Sequence, residues 1–205
     1  MEVNSRSRTQ AERSANTRAA LIAAGRKLFT EHGFNGVGTQ AIGAAAGVSR
    51  GALYHQFADK TELFAAVFEE VEQHVTVKVG ELVAAGTIEN ALDAMEVGSR
   101  AWLDVCAEPE VHRIVLIEAP SVLGWERWRE AGLRYGLGLI EGLLIGAMSE
   151  GLIPEQPTRP LAHLIAAAFD EAALYVARAD DPESARTEMY GITSRFVAAL
   201  ATGPT

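Results

Sequence analysis

Gly36-Val-Gly-Thr-Gln-Ala-Ile-Gly-Ala-Ala-Ala-Gly-Val-Ser-Arg-Gly-Ala-Leu-Tyr-His-Gln-Phe-Ala-Asp-Lys60 reads as two short helices and the turn between them. The first helix is predicted over residues 39–46, with Ile42 and Ala45 inward and Gly47 as the left-handed residue that ends it. Ser49 caps the second, residues 50–57. Two short helices around Gly47-Val48-Ser49 match a helix-turn-helix unit, whose second helix is free to lie in a major groove. On that helix Leu53 and Phe57 are four apart and pack inward. At roughly 100° per residue, Arg50, Gly51, Tyr54 and His55 share an arc of about 140° on another face. A cation, a glycine allowing close approach, a phenol and an imidazole suit base edges and phosphates. Asp59 caps the next helix, and Lys60 places a cation beside its positive end, where a phosphate is favoured.

Charge supports a polyanion at this end. Residues 1–60 hold eight basic and four acidic side chains, whereas residues 61–205 hold 10 and 23. A segment of net +4 therefore sits on a body of net −13. Arg6 and Arg8 read as a basic arm that adds phosphate or minor-groove contact.

The whole chain reads as all-α, with about nine helices and no alternating strand pattern. The first runs from about Ser14 to His32, with Gly33 as its stop. The fourth runs from Asp59 to about Ala85 along Leu63, Ala66, Val67, Val71 and Val75. Further helices are predicted over residues 88–107, from Pro109 until Pro120 interrupts, over 124–150, over 160–179, and from the Asp181-Pro182-Glu183 start to about Leu200. The tail 202–205 reads as frayed. Residues 1–60 thus read as a basic arm and a three-helix DNA-binding domain and residues 61–205 as a larger helical domain, to which the resemblance given next assigns effector binding and dimerisation.

In the frame Ala46-Gly47-Val48-Ser49, Gly51, Leu53-Tyr54, Phe57, Lys60 and Leu63, the chain resembles the TetR family of transcriptional regulators. The detailed likeness covers about residues 14–70. It implies that Tyr54 and Lys60 hold phosphates, and that Thr39 and Gln40 with Ser49, Arg50, Gly51 and His55 face the DNA. It further implies a homodimer through the last two helices, a double-stranded operator, and a pocket in the body for a small effector. Gln56, Gly43 and Gly38 stand where the family more often has His, Ala and a Ser or Thr cap.

Large aromatics with few polar handles suit an apolar pocket, although core is the commoner meaning for any one of them: Trp102, Trp125, Trp128, Tyr135 and Phe169, with Cys106, His112 and Met95 as neighbours. They imply a largely apolar effector. Gly138, Gly142 and Gly146 form a bare stripe, for which close helix packing is the more usual meaning than space for a ligand. Ala162, Ala166, Ala173 and Ala177, with Phe196, Val197 and Leu200, suit a close dimer seam, the alternative being packing within one subunit.

Other chemistry is disfavoured. Gly47-Val-Ser-Arg-Gly51 imitates a hydrolase nucleophile elbow, but an alanine-rich helical segment precedes it instead of a strand. Gly36-Val-Gly-Thr-Gln-Ala41 imitates a dinucleotide fingerprint, again without a leading strand. Glu108, Glu110 and His112 have no recognised ligand spacing, so no metal and no cofactor are expected. A single cysteine excludes an internal disulfide. The polar N-terminus is no secretory signal, no run looks like a membrane span, and the expected location is the cytoplasm. The expectation is a non-enzymatic, ligand-responsive repressor. The competing one is an all-helical enzyme or carrier of a lipophilic molecule with no DNA role.

Overall fold

The computed structural model describes residues 3–201, with side chains from Gln10. The tail 202–205 and the Arg6 and Arg8 side chains lie outside what is described. Among the described residues the fold is wholly helical.

The first helix, α1 (Val3–Gly36), begins earlier than the apolar periodicity indicates and passes through positions 6 and 8, so the backbone there is helical rather than an open arm. It breaks at Gly33, whose φ of +72° favours glycine. Leu21 and Phe29 of α1 are fully buried, and Phe29 and Phe34 both meet the Phe64 ring edge-on, with centroids 5.2 and 5.4 Å away. They hold the short α2 (Thr39–Ala45) and α3 (Arg50–Gln56) against the head of α4 (Lys60–Ala85) through Ile42, Leu53, Phe57 and Leu63. Helices of seven residues are not stable alone, so this shared core is what makes them. The same core continues without a gap through Val67, Phe68 and Val71 into the body.

In the body, α5 (Ala91–Cys106) starts on Asn90, whose side chain accepts from Leu92 and Asp93 N–H. The Pro120 break expected from sequence is absent. Instead α6 (Pro109–Val111) passes through a π-helical turn, π1 (His112–Glu118), into α7 (Ala119–Val122). Within π1 the Ala119 N–H donates to the carbonyl five residues back, on Ile114. One residue on, Pro120 has no N–H for the corresponding carbonyl of Val115, and the Trp128 indole donates to that oxygen at 2.8 Å. The widened turn plus one indole thus absorb the proline. Counting α6–π1–α7 as one helical run, the described residues form nine helices.

The long α8 (Trp125–Ser149) and α9 (Thr158–Arg178) pack together and against α5, and α10 (Pro182–Leu200) closes the bundle. A second apolar cluster, built on Met95, Leu137, Leu144, Ile153, Ala162, Ile165 and Val197, holds this end together. By length and composition alone α8 and α9 would be long and apolar enough to cross a bilayer. Charged residues inside each helix, such as Arg134 and Glu141 in α8 and Asp170 and Glu171 in α9, keep either from reading as an uninterrupted apolar run. The proposed dimer seam is corrected: Ala162, Ala173 and Val197 are buried within the same subunit, because that face of α9 is enclosed by α5, α8 and α10.

Candidate functional site

The turn between α2 and α3 closes in two steps: Gly47 N–H donates to Ala44 O at 3.1 Å, and Val48 N–H to Gly43 O at 2.9 Å. This double closure needs a left-handed residue, supplied by Gly47 at φ +67°. Gly43 has its own reason, since a Cβ there would sit 3.2 Å from the Val48 carbonyl. Ser49 Oγ accepts from Ala52 N–H at 3.2 Å and starts α3. Gly38, in the cap position of α2, makes no side-chain cap bond, and Gln56 donates to Ser14 Oγ at 2.9 Å, tying α3 to α1.

The outer face then presents Gln40, Ser49, Arg50, Gly51, Tyr54 and His55, all exposed, with Thr39 half-buried beside them. Tyr54 Oη lies 3.4 Å from Thr39 Oγ1, and the Arg50 guanidinium stands over the Tyr54 ring at 5.5 Å. The hydrogen bond with Thr39, then Arg50, holds the Tyr54 phenol below its ordinary value. Lys60 differs from the free cation expected from sequence. It is half-buried, Nζ donates to Phe34 O at 2.9 Å and Val37 O at 3.0 Å, and it sits 4.0 Å from the Phe34 ring centre. It therefore fastens the end of α1 to α4, and two of its three N–H groups are engaged there.

The DNA-reading end is linked to the body at more than α4. Phe34 N–H donates to Glu118 of π1 at 3.2 Å, and a Cβ on Gly33 would meet that carboxylate at 2.5 Å. Arg26 makes a two-pronged pair with Glu110 at 2.5 Å and reaches Glu70 at 3.2 Å. Both partners raise the Arg26 pKa, chiefly Glu110.

Within the body, α4, α5, α8 and α9 enclose a cavity of about 470 Å³. Of the residues expected from sequence, Met95, Trp102, Tyr135 and Phe169 line it. Four do not. Trp125 is 59% exposed, and Trp128 is buried with its N–H spent on Val115. Cys106 and His112 line a separate smaller hollow of about 290 Å³, where His112 Nε2 is 3.0 Å from Ala177 O. Burial pushes the Cys106 thiol well above its ordinary value, so it is not a reactive group.

The glycine stripe is corrected. A Cβ at Gly132, Gly136, Gly138 or Gly142 would meet nothing within 4 Å, and all four line the cavity. Only Gly146 is in close packing, 3.3 Å from Ala91 Cβ. The missing side chains are the cavity's volume. Sequence reasoning also missed two acids on its wall, Glu72 and Asp170. Burial first and Asp170 second push Glu72 up to about 7, and burial pushes Asp170 to about 6 against the opposing pull of Arg129, its salt-bridge partner. A signal for Glu72 existed: it falls four residues after Phe68, on the apolar face of α4.

Comparison with known proteins agrees along the chain. The tetR-family model of bacterial regulatory proteins matches residues 21–67, and the tetracyclin repressor-like C-terminal domain model matches 92–200. The Transposon Tn10 TetC protein of Escherichia coli is 22% identical over 195 residues, 93% of this chain and 95% of that protein. The HTH-type transcriptional regulator CymR of Pseudomonas putida is 45% identical over 69 residues, only 34% of either protein, so that likeness concerns the DNA-reading end. A crystal structure of a TetR-family transcriptional regulator from Pectobacterium atrosepticum is 29% identical, with a TM-score of 0.82 over 95% of this chain and 98% of that one. With a matched model over more than half its length and a helix-turn-helix of the right frame and geometry, the chain belongs to the TetR family of DNA-binding transcriptional regulators.

Proposed function

We propose that the protein is a cytoplasmic, non-enzymatic, ligand-responsive repressor. It binds a palindromic operator as a homodimer and leaves it when a small, largely apolar molecule fills the cavity. In this reading residues 1–60 read the DNA and 61–205 bind the effector and the second subunit. Arg50 and His55 read base edges from α3, with Gly51 allowing close approach. Thr39, Gln40, Ser49 and Tyr54 set the register on phosphates, and Lys60 keeps one N–H for the backbone.

The observation that carries the reading is that α4 both walls the cavity and begins at the recognition unit, as a single helix from Lys60 to Ala85. A ligand that tilts α4 alters the separation of the two recognition helices in a dimer, and operators have a fixed half-site spacing. The hydrogen bond from Phe34 to Glu118 of π1 and the Arg26–Glu110 pair between α1 and α6 give such a movement a second route.

For the dimer, the exposed face of α9 replaces the alanine face. Leu164 is 67% and Tyr175 55% exposed, and Ile192 and Phe196 continue the apolar surface on α10. Apolar side chains this open favour burial in a two-fold seam. They also explain much of the apolar composition of α9 without a membrane.

The test is retardation of the protein's own upstream DNA at moderate salt, with and without hits from a thermal-shift screen of apolar molecules. Gly142→Phe, which projects a ring into open cavity space, should still bind DNA and lose the response. No retardation of that DNA by a folded dimer would count against the operator. A full ligand response in Gly142→Phe would count against the cavity.

A further inference from the structure

We propose that the effector is a cation: an apolar or aromatic molecule with one amine or ammonium nitrogen, seated against the Glu72 carboxylate. This rests on the cavity being the effector site. Glu72 lies on α4, lines the cavity, and is only 4% exposed. Among the described residues no hydrogen bond or ion pair reaches its carboxylate, whose oxygens are not sealed in the core but open onto the cavity. Buried carboxylates are otherwise paired, because an ion stripped of water and without a partner is costly.

Apart from the Tyr135 hydroxyl, which accepts from Gln73 at 3.5 Å and keeps its own proton, the other polar groups around the cavity are engaged. Thr76 Oγ1 donates to Glu72 O at 2.9 Å, Ser99 Oγ to Glu96 O at 2.8 Å, and the Trp102 indole to Phe169 O at 3.2 Å. Arg129 is held by Asp170 and reaches His163 O at 3.5 Å. Two carboxylates against one guanidinium leave an excess of negative charge. An anionic ligand would add like charge beside Glu72 and Asp170. A neutral ligand without a donor would displace water and leave Glu72 unpaired, and one with a hydroxyl would give it a hydrogen bond but no opposite charge. A nitrogen cation gives Glu72 a charge-assisted hydrogen bond, and the rings of Trp102, Tyr135 and Phe169 attract the same charge.

The groups facing Glu72 are Asp170 of α9 with its partner Arg129 of α8, the Tyr135 phenol of α8 and the Cys106 thiol of α5. With Glu72 near 7, binding a cation draws it into the ionised form and releases a proton. Affinity for a cation should then rise about tenfold from pH 6 to pH 8, with Asp170 adding to the trend at the acid end.

Three molecules of one shape separate the classes: 1-naphthylmethylamine, 1-naphthylmethanol and 1-naphthoic acid, titrated by calorimetry into the wild-type protein at pH 6 and pH 8. The amine should bind at least tenfold tighter than either analogue at pH 8 and show the pH trend. Glu72→Gln should lose the amine's advantage and most of that trend while keeping the alcohol's affinity. Equal binding of amine and alcohol at both pH values would overturn the cation assignment and leave the cavity standing. Preference for the acid would overturn it as well. Binding of none of the three would overturn the proposal, and binding with unchanged affinities in Gly142→Phe would remove the cavity reading together with it. The two wild-type comparisons decide the matter even if Glu72→Gln folds poorly.

Discussion

Replacing Glu72 by glutamine should stabilise the ligand-free protein, and by an amount that depends on pH. The carboxyl is at its ordinary 4.5 when the chain is unfolded and near 7 when folded, because burial and then Asp170 disfavour its charge. An acid with a raised folded pKa is a penalty that is absent below its unfolded value. The penalty grows as pH rises through the interval from 4.5 to 7 and is complete above it. The full shift corresponds to about 3 kcal/mol at 1.36 kcal/mol per unit. Glutamine keeps the shape and carries no charge, so Glu72→Gln should match wild type near pH 4.5 and exceed it by about 2–3 kcal/mol at pH 8. Asp170 ionises in both proteins, so the cost of its own burial cancels in the difference and only its repulsion of Glu72 remains. Urea melts at four pH values and one protein concentration measure this directly, the concentration being held because dimerisation also adds stability. A constant difference across that range would refute the buried, unpartnered carboxylate and the site argument built on it. A binding group that weakens the empty fold is a common trade between stability and function.

Trp128→Phe removes the indole donor to the Val115 carbonyl, which Pro120 cannot replace, and should cost about 1–3 kcal/mol in chemical denaturation; no loss would mean the widened turn supplies another donor. Arg50→Ala should relax operator preference by about 1–3 kcal/mol at one base pair without lowering stability, read by competition retardation with altered half-sites. Lys60→Ala should differ by weakening the fold itself by about 2 kcal/mol, through two lost charge-assisted bonds, together with DNA binding; loss of DNA binding at unchanged stability would restore Lys60 as a free phosphate cation. Leu164→Arg should give monomers in sedimentation, whereas an intact dimer would move the seam away from the exposed face of α9.

The helix-turn-helix was legible because everything that defines it is local. A left-handed glycine at 47, caps at Ser49 and Asp59, and Leu53 and Phe57 four residues apart all act within a few residues of themselves. Which way a side chain points across the molecule is not local. Lys60 reads as a cation for DNA until α1 is seen to leave two carbonyls beside it. Pro120 reads as a helix break until Trp128, eight residues later, takes over the carbonyl it cannot serve. The same holds in the body. A stripe of glycines has one meaning when another helix presses on it, as at Gly146, and the opposite meaning when nothing comes within 4 Å, as at Gly136 and Gly142. Trp102 and Trp125 are alike as residues, yet one walls a cavity and the other faces solvent, because helix phase and the placement of α4 and α9 differ around them. Glu72 is one more acid in the sequence. Its raised pKa and its opening to the cavity come from helices whose partners lie up to a hundred residues away, and only their packing removes the water that would have made it ordinary.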